Sequence, residues 1–116
     1  MFIIALVLFR GTAQKDSSAT LTLDWGSQKR TFQGAVVGRM TVLDVLQASA
    51  IAGNISLEFS VDDSGAVKIA RLDGFRERGD ATIEVVVNDR GIDPAMMNTV
   101  LVQPRDHIAI KLGETP

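Results

Sequence analysis

The chain has 116 residues, the length of one globular domain, and its composition excludes several kinds of site. It has no cysteine, which excludes disulfides and thiolate metal sites, and one histidine, which removes histidine-rich metal centres and argues against a serine–histidine–aspartate triad. With 12 basic and 14 acidic residues the formal net charge is −2, so no basic field attracts the chain to nucleic acid.

The first nine residues are apolar, with a continuous run from Phe2 to Phe9. As a helix they would cover about 13 Å, less than half of the ~30 Å of bilayer hydrocarbon. Three interpretations stay open: a membrane or signal segment whose upstream part is missing from the reading frame, a short signal sequence as it stands, or an extra core element. We expect residues 1–18 to be this segment plus a polar tether, and residues 19–116 to form one domain.

The next two segments predict a strand hairpin. Leu21, Leu23 and Trp25 alternate with polar residues, which is typical of a half-buried strand. After a turn the alternation resumes from Arg30 to Val37, so the two strands should pair. Because Trp25 is in phase with the two leucines, we expect it to pack against the core.

One helix is predicted to follow the hairpin. Thr41 is placed to act as its N-cap, and Asp44, three residues later, can complete a capping box. Apolar and small residues then recur at helical spacing, and Gly53 and Asn54 form the stop because both tolerate a left-handed backbone. The predicted buried stripe consists of Val42, Val45, Leu46, Ser49 and Ala50.

The rest of the chain reads as strands separated by turns. In the run from Ser56 to Val61, the side chains expected to point inward are those of Leu57, Phe59 and Val61. Further strands are predicted at Val67–Leu72, Thr82–Val87, Val100–Val102 and His107–Leu112, with a turn at Asn88–Gly91. His107 is out of phase with the isoleucines that follow it and is expected to be solvated.

This order of elements predicts an α+β domain of the β-grasp (ubiquitin-like) kind. One helix should pack across a mixed, mostly antiparallel sheet, and the tail should supply its final three strands. Since a single helix cannot cover both faces of a sheet, the opposite face should be solvated.

Four short motifs resemble the transcobalamin C-terminal-like domain, a bacterial family of β-grasp modules. Met40–Leu46 is similar to its "TVLDAL" helix start, and Val85–Gly91 to its "YYVNG" strand and turn. Pro104–Ile108 resembles its "DGDxI" turn, and Ile69–Gly74 its preceding strand. The resemblance covers about Ala19 to Leu112.

The resemblance implies a non-enzymatic module that binds a ligand, with cobalamin as an analogy. The family usually has tryptophan and tyrosine where this chain has Ile83, Val85 and Val86. In the animal cobalamin carriers, the ligand lies between this module and a separate helical domain that these 116 residues do not contain. We therefore expect an unknown small molecule or protein as partner, and no metal or cofactor.

The loop from Arg71 to Asp80 is the predicted binding site, because it concentrates charge around an aromatic residue expected to be exposed. Its arginines could hold an anionic group through forked hydrogen bonds. The alternative is that opposite charges in the loop only pair with one another. The candidate ligand-binding residues are Arg71, Asp73, Phe75, Arg76, Arg78 and Asp80.

Two other functions stay open. Small sulfur carriers share the fold, but their reactive Gly-Gly tail is absent here, since the chain ends Leu112-Gly113-Glu114-Thr115-Pro116. A structural spacer that presents a neighbour at the surface is the other. The apolar N-terminal run favours a membrane-anchored or secreted, extracytoplasmic location, with the cytoplasm as the alternative.

Overall fold

The computed structural model describes residues 18–26, 28–73, 75–76 and 81–114. Residues 1–17 of the predicted segment and tether therefore lie outside the described residues, as do Arg78 and Asp80 of the predicted binding loop. Ser18, the last residue of the predicted tether, is described and begins the first strand.

One helix, eight strands and a short 3-10 turn make up the described part of the chain. In chain order these are β1 (Ser18–Asp24), β2 (Lys29–Ala35), α1 (Val42–Ala52), β3 (Leu57–Val61), β4 (Val67–Leu72), β5 (Phe75–Arg76), β6 (Ala81–Val87), β7 (Arg90–Ile92), the 3-10 turn (Pro94–Met96) and β8 (His107–Glu114).

The strands form two sheets. The larger has five strands in the order β2-β1-β8-β6-β7, and the smaller has three in the order β3-β4-β5. In the larger sheet β1 and β8 run parallel, and the other neighbours are antiparallel. The prediction of an α+β domain with one helix and a mixed, mostly antiparallel sheet is confirmed for the described residues.

The core is formed by α1, one face of the larger sheet and the buried residues of β4 and β5 in the smaller sheet. Leu21 and Leu23 of β1, Phe32 of β2 and Ile110 of β8 are fully buried on this face, and Leu46 of α1 is buried with them. On the opposite face the polar side chains are exposed or half-buried, as expected for a sheet that one helix covers on one side only. Examples on that face are Thr22, Thr31, Glu84 and Lys111.

The predicted capping box opens α1. The backbone N–H of Asp44 donates to Thr41 Oγ1 over 3.1 Å, and the N–H of Thr41 donates back to Asp44 Oδ2 over 2.9 Å. At the other end the left-handed residue is Asn54 (φ 55°), while Gly53 has φ −90°. The helix stop was placed correctly, but only one of its two residues uses the left-handed backbone.

We expect Thr41→Ala to lower the free energy of unfolding by about 1 kcal/mol, because the N–H of Asp44 loses its acceptor at the helix start. Urea denaturation followed by circular dichroism measures this change. Thr41→Ser is the matched control, since it keeps the hydroxyl and should stay close to wild type. Equal losses in both variants would contradict a role for the cap hydroxyl.

Two strand predictions are wrong in detail. Val61 is 48% exposed, so only Leu57 and Phe59 of β3 pack against the core, and both are partly buried. The segment Val100–Val102 makes an isolated bridge between Leu101 and Thr41 instead of a strand. It pairs with the entry to α1, and the third tail strand is β7.

The β6–β7 hairpin explains why β7 forms. Its two turn residues, Asn88 and Asp89, have φ of 51° and 67°. Positive φ at both central positions is the geometry of the type I′ turn, which matches the twist of a hairpin. The chain therefore reverses within the predicted turn, and Arg90 pairs with Val87.

Among the described residues, none of the helical segments has the length and hydrophobicity that a bilayer-spanning helix needs.

Candidate functional site

The predicted binding loop is partly described. Arg71, near the end of β4, forms an ion pair with Glu58 of β3, with 3.3 Å between Arg71 Nη1 and Glu58 Oε2. Asp73 takes a left-handed backbone (φ 53°), and its N–H donates to the Ser56 carbonyl over 2.7 Å. Arg71 thus has an acidic partner in β3, outside the loop, so this pair does not decide between ligand binding and pairing of charges within the loop.

Phe75 corrects one expectation about this loop. Its side chain is 7% exposed and belongs to the core, so the prediction of an exposed aromatic residue is wrong. The cause is strand pairing: Phe75 lies opposite the fully buried Leu72, and Arg76 lies opposite Arg71. Ligand binding by the rest of the loop stays a prediction.

The expectations for the tryptophan and the histidine are confirmed. Trp25 is partly buried against the core, and its Nε1–H donates to the Leu72 carbonyl over 3.3 Å. This hydrogen bond ties the end of β1 to the smaller sheet. His107 is exposed at the start of β8, so it is a solvated histidine.

A polar lock joins the β6–β7 turn to the turn before β8. The side-chain amide of Asn88 donates to Asp106 Oδ1 over 2.7 Å, and its carbonyl oxygen accepts the N–H of His107 over 2.8 Å. Asp106 Oδ2 accepts the N–H of Gln103 over 2.8 Å. Asn88 and Asp106 of the two turn motifs therefore connect the two turns, a contact that residue pattern alone does not predict.

A groove lined by both apolar and amide side chains lies between the C-terminal half of α1 and β3. Its volume is about 400 Å³, within the range of ligand pockets, and it opens to solvent. Ile51 stands at its mouth with 83% of its side chain exposed. The walls are formed by Gln47, Ala50, Ile51, Asn54, Ile55, Leu57 and Phe59.

The helix stop positions this groove. Asn54 reverses the chain in its left-handed conformation, and the N–H of Ile55 donates to the Ala50 carbonyl over 2.8 Å. Ile55 is buried at 7% exposure and anchors the connection. The chain therefore enters β3 directly beside the helix it has just left, and the two elements form the groove walls.

Sequence reasoning missed this groove. Ile51 follows the predicted buried stripe of α1 but is not part of it, so periodicity places it toward solvent. A large aliphatic residue on the exposed side of a helix was the available signal. The sequence alone does not show that Leu57 and Phe59 lie across the groove from Ile51.

A second concavity, of about 330 Å³, lies on the solvated face of the larger sheet. Its lining is mixed, with threonines of β1, Val86 of β6 and His107 at the start of β8. The polar lock forms part of its rim through Asn88. In the described part of the chain, no group of three or more histidine or acidic side chains converges to hold a metal ion.

The β3–β4 turn contains a carboxylate with a displaced pKa. Asp62 Oδ1 accepts the Ser64 hydroxyl and the N–H groups of Ser64 and Ala66, and the Ser64 hydroxyl makes the largest contribution. These donors stabilise the ionised form, so the pKa of Asp62 lies below its ordinary value of 3.8.

We expect the stabilisation from Asp62 to be present above pH 3.8 and to be lost as the pH falls through its lower folded pKa. Titration of the Asp62 carboxyl carbon by NMR measures this pKa directly. Ser64→Ala should move it upward, because the main donor is lost, whereas Ser64→Thr keeps the hydroxyl and should not. A folded pKa at or above 3.8 in the wild type would contradict the role of this turn.

Comparison with known proteins identifies a fold relative and no family. No family model matches the sequence, and no curated protein matches it. Among solved structures, the chain is similar to a crystal structure described as a "putative metal binding protein" from Ruminococcus gnavus ATCC 29149. The match has a TM-score of 0.63 and 15% sequence identity, and it covers 86% of this chain and 99% of the other. At this identity the likeness concerns the fold.

Proposed function

We propose that the chain is a non-enzymatic binding module whose ligand or partner occupies the groove between α1 and β3. The observation that carries the proposal is the exposed Ile51 at the mouth of a groove of about 400 Å³. The groove walls are aliphatic, aromatic and amide side chains, which bind apolar surface and supply no acid, base or nucleophile.

We further propose that the module is of the β-grasp kind. The five-stranded order β2-β1-β8-β6-β7, with β1 and β8 parallel at its centre and one helix between β2 and the remaining strands, supports this assignment. The resemblance to transcobalamin C-terminal-like domains is kept as part of the proposal. Asn88 and Asp106, which carry two of the motifs, bond to each other, as residues that stabilise a shared turn arrangement would.

Metal binding is not carried over from the structural neighbour. That description belongs to the Ruminococcus gnavus protein, with which this chain shares 15% identity. In the described residues of this chain, no three oxygen or nitrogen ligands of the acidic and histidine side chains converge.

The location and the charged loop are proposals of their own. We propose an extracytoplasmic module, secreted or tethered through Phe2 to Phe9, which fractionation of membranes from expressing cells tests directly.

The loop from Arg71 to Asp80 is proposed as a secondary contact with the ligand. If a ligand binds a folded Arg76→Ala/Arg78→Ala double variant as tightly as the wild type, the loop assignment is wrong.

The groove is tested by a thermal-shift screen of the full 116-residue chain against corrinoids, tetrapyrroles, glycans and peptides. For any compound that raises the melting temperature, Ile51→Glu should weaken binding by about tenfold or more, because a carboxylate would be desolvated in the groove. Val37→Glu is the matched control, since Val37 is also an exposed aliphatic residue (50%) but does not line the groove. Equal affinity of the two variants would contradict the groove as the site.

A further inference from the structure

β3 is an edge strand of the smaller sheet, with β4 on one side only. The register of the β3–β4 ladder decides which of its backbone groups face away from β4. The N–H of Asp62 donates to the Ala66 carbonyl, so Asp62 belongs to a hydrogen-bonded pair. In an antiparallel ladder such pairs alternate with non-bonded ones. Val61, opposite Val67, is therefore non-bonded, and Ser60, opposite Lys68, is bonded.

On the other side of the bulge between Glu58 and Phe59, a second hydrogen bond shows which groups of β3 face β4. The N–H of Asp73 donates to the Ser56 carbonyl, so Ser56 faces β4 and Leu57 faces away. Phe59, opposite Ile69, is again in a non-bonded position. The outward N–H and C=O groups of β3 are those of Leu57, Phe59 and Val61. Among the described residues, no other strand pairs with them.

The groove lies beside these outward groups. Leu57 and Phe59 form one of its walls, and Ile51 of α1 forms part of the other. An added strand alternates its side chains between two faces, so every second residue would point toward the groove. The exposed side chains of Ile51 (83%) and Val61 (48%) would then be covered by apolar residues of that strand.

Charge at the end of β3 indicates the kind of strand that fits. The groove walls carry no charged residue, but Asp62 and Asp63 follow Val61 directly, and both are exposed. Asp62 is negatively charged at neutral pH, since its pKa lies below the ordinary 3.8. A basic residue at the corresponding end of the added strand would be complementary. A second copy of this chain would not supply one through β3, because Glu58 is the only charged residue of that strand.

We propose that β3 is a docking edge for an extended peptide of a partner protein, with apolar residues at every second position and a lysine or arginine at the end beside Asp62 and Asp63. The backbone of Leu57, Phe59 and Val61 pairs with the peptide, and the groove receives its apolar side chains. The inference rests on the proposed function and specifies its partner.

A random peptide library displayed on phage and selected on the full chain tests this proposal. Selected peptides should show alternating apolar residues and a terminal basic residue. With a synthetic copy of one such peptide, amide hydrogen exchange should slow at Leu57, Phe59 and Val61. In the free chain these amides should exchange faster than those of Ser60 and Asp62, which face β4.

Val61→Pro removes one outward N–H and leaves the β3–β4 ladder intact, so the variant should fold and bind the peptide about threefold to tenfold more weakly. Val61→Ala is the control, because it loses most of the side chain but keeps the N–H. A smaller loss for Val61→Ala than for Val61→Pro supports backbone pairing. Equal losses, or peptide binding with unchanged exchange at Leu57, Phe59 and Val61, would overturn it.

The remaining outcomes separate this inference from the proposed function. If no peptide is selected but a small molecule binds in the thermal-shift screen and is lost in Ile51→Glu, the docking edge is overturned and the groove stands. If sedimentation shows that the chain pairs with itself through β3, the partner peptide is overturned in favour of a second copy. If neither screen yields a ligand, both proposals fail.

Discussion

Replacing Phe32 with alanine is expected to lower the free energy of unfolding by about 3–5 kcal/mol. The ring is fully buried in the core, and the guanidinium of Arg30 lies over it at 5.2 Å from the ring centroid. Arg30 also donates to the Gly53 carbonyl at the end of α1 over 3.1 Å, so the ring lies under the joint between β2 and the helix. Urea denaturation measures the loss.

The control for this prediction is Val37→Ala, a half-exposed aliphatic residue that should change stability by less than about 0.5 kcal/mol. A double-mutant cycle that combines Phe32→Ala with Gly53→Ala tests the packing of the Phe32 ring against the end of α1. A Cβ on Gly53 would lie 2.7 Å from two carbons of the Phe32 ring, which is too close for van der Waals contact. Gly53→Ala should therefore be destabilising in the wild type and clearly less so in the Phe32→Ala background, where only Arg30 Nη2, 3.1 Å from that Cβ, remains close. Additive effects would contradict this contact.

Replacing Asn88 with alanine is expected to cost about 2–3 kcal/mol, although the residue is exposed. Two side-chain hydrogen bonds, to Asp106 and from the N–H of His107, contribute about 0.5–1.5 kcal/mol each. The left-handed backbone at φ 51° adds roughly 1 kcal/mol for a residue that lacks the local bonding of asparagine. Chemical denaturation gives the total.

Two variants separate these contributions. Asn88→Gly removes the hydrogen bonds but accepts the left-handed backbone, so it should recover roughly 1 kcal/mol relative to Asn88→Ala. Asp89→Gly changes the neighbouring turn residue, which also has positive φ, and should stay near wild type. If Asn88→Ala is no worse than a typical surface substitution, the lock does not stabilise the two turns.

Local chemistry was sufficient to predict the helix. Thr41 and Asp44 are three residues apart, and the bonds they make are within one turn, so the pattern and the structure coincide. The alternation of Leu21 and Leu23 likewise predicted which side chains of β1 are buried. These features depend on neighbours in the chain, which is why a single sequence contains them.

Long-range pairing was not predictable to the same degree. Val100–Val102 has strand-forming residues, yet its neighbour in space is the entry to α1, where it can form only a bridge. Val61 continues the alternation of β3 but lies beyond the part that α1 and the core cover, and it is half exposed. The residue pattern of β3 alone does not show where its cover by α1 and the core ends.

The candidate site shows the same limit. Phe75 was expected at the surface because charged residues surround it in the sequence, but its pairing with Leu72 turns it into the core. Ile51 was overlooked because its importance depends on Leu57 and Phe59, which reach it only after the chain reverses at Asn54. A groove between two elements is a property of their arrangement, which neither segment encodes alone.

Chemical-shift mapping by NMR, with the full chain and the first compound or peptide that raises its melting temperature, tests most directly whether the groove between α1 and β3 is the binding surface. We predict that the largest changes in amide shift will be at Ala50, Ile51, Leu57 and Phe59. Changes concentrated instead around Thr20 and His107 on the solvated face, or around Arg71 and Arg76, would contradict it.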